Sequence, residues 1–193
     1  MIMNDWRISY IEQIINHLGN TLDEIYETTT EEIDVNRVLE KERIIENVIG
    51  MVFVTCQIYI SGTISDANLF SQQKLGKREL MRNNSELIPG TSITYVELCD
   101  AYANYYKHNE EWKIIDKWNF DTIQTLESAG INISLDRNEM VEVPCTRILE
   151  ILLPIEKGND LSALLPPISD WRNRTLSKLI ENINSYRPTR GCS

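Results

Sequence analysis

Apolar residues recur at steps of three and four from the start of the chain. Ile8, Ile11, Ile15, Leu18, Leu22 and Ile25 form one stripe, which predicts an amphipathic helix of about five turns. His17, beside Asn16, falls off the stripe and reads as a solvent or rim residue. Thr28–Thr30 precede Glu31 and Glu32, and a Thr followed three residues later by Glu is a capping box that opens a helix. The next helical pattern runs through Val35, Val38, Leu39, Ile45, Val48, Ile49, Val52, Phe53, Cys56 and Ile60. Its middle is apolar nearly all round, the mark of a central helix enclosed by others. The β-branched run Val52–Ile60 would also suit a strand. Length and the flanking periodicity favour helix, with its end or a kink at Gly62 and Ser65-Asp66.

Residues Asn68–Arg82 show weaker periodicity and predict a peripheral helix or structured loop, followed by a turn-rich connector over Arg82–Gly90. Thr94 and Glu97 form a second capping box, with Ile93 and Leu98 placed as its hydrophobic staple. The helix they open has Val96, Cys99, Ala103 and Tyr106 as its core stripe, with Leu98, Tyr102 and Tyr105 alongside. Asn119–Ala129 predicts a further helix stopped by Gly130, and Pro144 opens another that runs to Leu153 and ends at Pro154. Residues 131–143 alternate loosely and predict an irregular or short β excursion. Ser169, after Pro166-Pro167, is the expected N-cap of the last helix, whose stripe is Trp171, Leu176, Leu179, Ile180 and Ile183. The sum is an all-α bundle of five to seven helices around Val48–Ile60, in a single domain over residues 1–193, with no internal repeat.

Composition narrows the classes. The 193 residues are 42% hydrophobic and 25% charged, ordinary for a globular domain. The formal net charge of -10 argues against a protein built to coat nucleic acid, because phosphate binding rests on clustered Lys and Arg. The acidity is uneven: Met1–Ile60 carries net -7 and Val96–Glu142 net -6, while Ser61–Tyr95 and Val143–Ser193 carry +1 and +2. The basic islands are Lys74–Arg82 and Arg172–Lys178; each reads as a solvated face, or as a small anion contact. Val48–Ile60 is interrupted by Gly50, Thr55 and Gln57, so a buried core segment is expected rather than a membrane span. Residues 1–10 lack a signal-peptide pattern. Cys56, Cys99, Cys145 and Cys192 are widely spread, with no C-x-x-C pair. A cytoplasmic chain with neither a zinc site nor a disulfide framework is expected.

Candidate chemistry is confined to Asn104–Trp112. His108 is one of only two histidines, and helical spacing places Asp100, Asn104, His108 and Glu111 on one face. An imidazole among an amide and carboxylates could serve as a general base; a helix's polar face is also simply its wet face. Tyr95, Tyr102, Tyr105, Tyr106, Trp112, Trp118 and Phe120 form an aromatic cluster that suits core packing better than base stacking in so acidic a stretch. No phosphate-loop, dinucleotide or nucleophile-elbow motif occurs, and neither histidine completes an E-x-x-H pair. No metal or cofactor is expected.

The segment Ala103-Asn104-Tyr105-Tyr106-Lys107-His108 resembles the motif of HEPN ribonucleases, which are helical bundles, commonly dimeric. In that family an Arg, followed by a polar residue and then a His, cuts RNA through attack by the 2′-hydroxyl. Here the Asn and His are present, but Ala103 stands at the Arg position. Lys107 lies one turn later on the same face and leans back toward Ala103, although an ammonium lacks the planar fork of a guanidinium. The resemblance implies a HEPN-like bacterial domain. Two functions follow. The first is a non-catalytic interaction protein of a defence, toxin–antitoxin or immunity-type system, a possible homodimer with an acidic surface that suits a basic protein partner. The second is a metal-independent endoribonuclease using His108, with Lys107 replacing the Arg and Asn104 beside them.

Overall fold

The computed structural model of the chain describes residues 5–27, 35–115, 118–133, 144–153 and 160–185. Among the described residues there are seven α-helices: α1 (Trp6–Glu27), α2 (Val35–Ser71), α3 (Lys77–Asn84), α4 (Tyr95–Ile115), α5 (Phe120–Ser128), α6 (Pro144–Leu152) and α7 (Leu165–Ser185). One short 3-10 helix, Leu161–Leu164, leads into α7. No strand occurs among them; Leu87 and Thr94 form an isolated antiparallel bridge before α4. The protein is an all-α bundle, and the expected seam on α1 is real: Ile11, Ile15 and Leu22 are buried while His17 is exposed.

The axis of the bundle is α2. Val48, Ile49, Val52, Phe53, Cys56, Tyr59 and Ile60 are all buried, because α1, α4 and α7 pack round it. By length and composition its Val38–Ser71 stretch could cross a membrane, but 61% of its most apolar window is buried within the fold. Of these, α1 and α4 run antiparallel to it. Asp5 meets Tyr59 at one end of α1, and the Tyr26 ring lies beneath Lys41 at the other. On α4, Tyr102 packs edge-on against Phe53, and Tyr106 further along bonds back to Asn47.

Two helix boundaries differ from those expected. Gly62 and Ser65-Asp66 do not end α2, which continues to Ser71. Gly62 instead makes room for α1, since a Cβ there would lie 2.3 Å from Arg7 Nη1. Nor does α7 begin at Ser169; Pro166 and Pro167 are inside its first turn. First-turn N–H groups have no intrahelical acceptor, so proline costs little there. The Thr94 capping box forms as expected: the backbone N–H of Thr94 donates to Glu97 Oε2 at 3.0 Å, and Glu97 N–H donates to Thr94 Oγ1 at 3.3 Å. Asn119 caps α5 by accepting from Thr122 N–H at 3.1 Å, and Gly130 follows with φ of 79°, a left-handed turn that glycine adopts freely. Ile131 and Ile133 are buried without regular structure. The rest of the expected excursion, the Thr28–Glu31 capping box and Pro154 lie outside the described residues.

Candidate functional site

The His108 stretch sits inside α4, two turns before its end at Ile115. Ala103, at the position of the family's Arg, is 0% exposed and belongs to the core. Lys107 and Asn104 both turn toward α2. Lys107 Nζ donates to Gln57 Oε1 at 2.6 Å, and Gln57 Nε2 donates to Asp100 Oδ1 at 2.8 Å and Asn104 Oδ1 at 3.0 Å. Gln57 is buried, with 7% exposure. A buried amide must find partners for both its ends, and this one joins three residues of α4 to α2.

His108 goes elsewhere. Its Nδ1 lies 3.2 Å from Glu111 Oε2, with the histidine side chain 44% exposed. Its ring stacks on Trp112, with centroids 5.7 Å apart and planes at 21°. Trp112 in turn meets Trp118 edge-on at 6.0 Å, so the histidine covers the outer end of a short aromatic stack. The face that spacing assigned to Asp100, Asn104, His108 and Glu111 is therefore divided. Its first half is tied to Gln57, and its second half pairs with itself. The wider aromatic cluster is mostly packing: Tyr102, Tyr105 and Trp112 are buried, and only Phe120 is largely exposed.

Below Asn104 a cleft of about 240 Å³ opens between α3, α4 and α5, lined by Lys77, Arg78, Glu97, Asp100, Asn104 and Thr122 among others. Four of its charged residues pair across the α3–α4 contact. Lys77 Nζ lies 2.7 Å from Asp100 Oδ2, and Glu97 Oε1 lies 2.6 Å from Arg82 Nε and 3.8 Å from Arg78 Nε. Both carboxylates are buried, so these cations offset the cost of removing them from water. The basic island Lys74–Arg82 is thus neither a plain solvated face nor a ready anion contact; three of its bases face α4.

The second island behaves alike. Arg172 is 3% exposed and lies 3.3 Å from Asp5 Oδ2 and 3.9 Å from Asp66 Oδ2. Arg7 also pairs with Asp66, and the Tyr59 hydroxyl donates to Asp5. This cluster joins the segment before α1 to α2 and α7. Arg174 pairs with Glu86 at 3.3 Å. Sequence reading missed Gln57, Lys77 and Glu97 as partners. The available signal was Gln57 itself, an amide inside an otherwise apolar helical run.

Burial, not a catalytic environment, governs the thiols. Desolvation pushes Cys56 up to about 12 and Cys99 well above its ordinary value; a thiol so placed is an inert core residue. No family model, curated protein or solved structure matches the chain.

Proposed function

We propose that the chain is a non-catalytic helical interaction protein of HEPN-like architecture, acting within a defence, toxin–antitoxin or immunity-type system. The observation that carries this reading is the disposition of Ala103 and Lys107. The motif position holds a core methyl group, and the Lys107 ammonium is bonded to Gln57 Oε1. RNA cleavage needs cationic charge at the phosphate as negative charge develops; here that charge serves the α2–α4 contact. Lys77, Arg78, Arg82, Arg172 and Arg174 of the basic islands pair with carboxylates of the same chain, while the net charge of -10 remains to steer a basic protein partner.

The experiment is capture of partners from the native host by the tagged chain, across a salt series. The reading expects a basic protein whose binding weakens as ionic strength rises and is unchanged by His108→Ala. Captured RNA with no protein, or His108-dependent capture, would overturn it. One observation favours the ribonuclease alternative: His108 is solvent-accessible and held by Glu111. In that alternative Lys107 leaves Gln57 to meet the phosphate, so Lys107→Ala and His108→Ala both abolish cleavage.

A further inference from the structure

We propose that the cleft between α3, α4 and α5 binds a free α-amino acid, with the carboxylate at Arg78 and Asn104 and the ammonium at Asp121 and Thr122. Helix α4 packs against both α3 and α5, so Arg78 and Asp121 line the cleft from different helices. Two charged pairs around it are complete: Lys77 Nζ lies 2.7 Å from Asp100 Oδ2, and Arg82 Nε lies 2.6 Å from Glu97 Oε1. Arg78 is left over. Its Nε is 3.8 Å from the same Glu97 oxygen that Arg82 holds, and its side chain is 52% exposed. It makes no hydrogen bond among the described residues. Asp121 is left over as well. Its backbone carbonyl accepts from Thr125 Oγ1 at 2.8 Å, while its carboxylate meets no donor among the described residues.

Two neutral groups in the lining are also incomplete. Thr122 is only 5% exposed. Its backbone N–H is capped by Asn119, but its hydroxyl has no partner among the described residues. Asn104 gives its Oδ1 to Gln57, which leaves its amide N–H groups unpaired among those residues. Sheltered polar groups cost free energy until something bonds to them. A few such groups converging on one concave surface are what orient a small ligand.

These groups select the class of ligand. An inorganic anion would face Asp121, and a metal ion would face Lys77 and Arg78. An apolar molecule would leave Thr122 and Asn104 unbonded. A zwitterion answers every group. The Arg78 guanidinium and the Asn104 amide donate to its carboxylate, and its ammonium donates to the Asp121 carboxylate and the Thr122 hydroxyl. Met81 and Ala101 also line the cleft and are 6% exposed each, an apolar surface for the ligand's side chain. The volume of about 240 Å³ lies below the ~300–1,000 Å³ of pockets for larger ligands, which suits a molecule of amino-acid size. This site is separate from the partner-binding reading, and neither requires the other.

Melting of the full chain in the presence of each of the common amino acids, at about 10 mM, finds the ligand, because a molecule that binds only the folded state raises the transition. At least one amino acid should do so. Titration calorimetry then compares it with its amide, which lacks the carboxylate, and its N-acetyl form, which lacks the ammonium. Each should bind about tenfold or more weakly, the cost of one charge-assisted hydrogen-bonded pair. Arg78→Gln should erase the preference over the amide, and Asp121→Asn the preference over the N-acetyl form. Thr122→Val, which keeps the shape and removes the hydroxyl, should weaken the free amino acid about threefold or more. All three variants should melt without ligand as the wild type does. No shift with any amino acid, equal binding of the amide and N-acetyl forms, or undiminished binding by Arg78→Gln and Asp121→Asn would overturn the proposal.

Discussion

Replacing Lys107 with Met separates a structural ammonium from one reserved for a substrate. Met keeps most of the side chain's apolar length and removes only the charged donor. The lost bond is the 2.6 Å contact to Gln57 Oε1, and the acceptor left behind is on a residue only 7% exposed. A charge-assisted hydrogen bond contributes about 1.5–3 kcal/mol when shielded. Lys107 is itself exposed, so screening reduces this to about 1–2 kcal/mol. For a chain of this size each kcal/mol corresponds to roughly 2–4 °C in the melting temperature. Urea unfolding followed by far-UV circular dichroism should show that loss for Lys107→Met, and a smaller one, below about 1 kcal/mol, for His108→Ala, whose side chain is half-exposed. In a Gln57→Leu background Lys107→Met should cost almost nothing further, giving a coupling of about 1 kcal/mol or more. A Lys107→Met variant as stable as the wild type, or a cost undiminished by Gln57→Leu, would refute the reasoning.

Three further outcomes follow from the core. A Cβ at Gly50 would lie 2.2–2.5 Å from three ring atoms of Tyr106, including Cγ, so turning the ring about its own axis gives no relief. Gly50→Ala should therefore destabilise the wild type, yet stabilise Tyr106→Ala by about 1 kcal/mol through helix propensity alone; denaturant midpoints of the four proteins decide it, and the same sign in both backgrounds contradicts it. Arg172→Leu leaves Asp5 and Asp66 short of a cation in a buried cluster and should cost about 3 kcal/mol, measured in the same way; a neutral effect would remove the cluster from the account. Cys56 rises from 9.0 to about 12 in the fold, and Cys99 rises as well, so the native state holds these protons more tightly than the unfolded chain. Stability is then intact below pH 9 and falls above it, by up to about 1.4 kcal/mol per pH unit for each group. A denaturant midpoint that does not move between pH 8 and pH 10.5 would contradict this.

Local signals were legible in the sequence where local physics decides the outcome. The α1 seam, the apolar centre of α2, the Thr94–Glu97 box and the Gly130 stop all depend on residues within a turn or two of one another. The boundaries that differed depend on partners distant in sequence. Gly62 reads as a stop, but it lies against the Arg7 guanidinium of α1, where a side chain would crowd it. Pro166-Pro167 reads as a break, but the unbonded first turn of α7 tolerates both. The His108 stretch was legible only as a face. Periodicity put Asp100, Asn104 and His108 together, but each side chain's partner is set by what stands opposite: Gln57 for the first two, Glu111 and Trp112 for the third. An amide amid Val and Ile announces that it needs partners without naming them, so the Lys107–Gln57 bond appears only when α2 and α4 are docked.

The central claim is that Lys107 and Asn104 hold the bundle together and do not cut RNA. The direct measurement is incubation of the purified chain with end-labelled single-stranded RNA, without added metal, beside the His108→Ala and Lys107→Ala variants. The account predicts intact RNA in all three, indistinguishable from buffer. Cleavage by the wild type that disappears in both variants would contradict it and assign the site to catalysis.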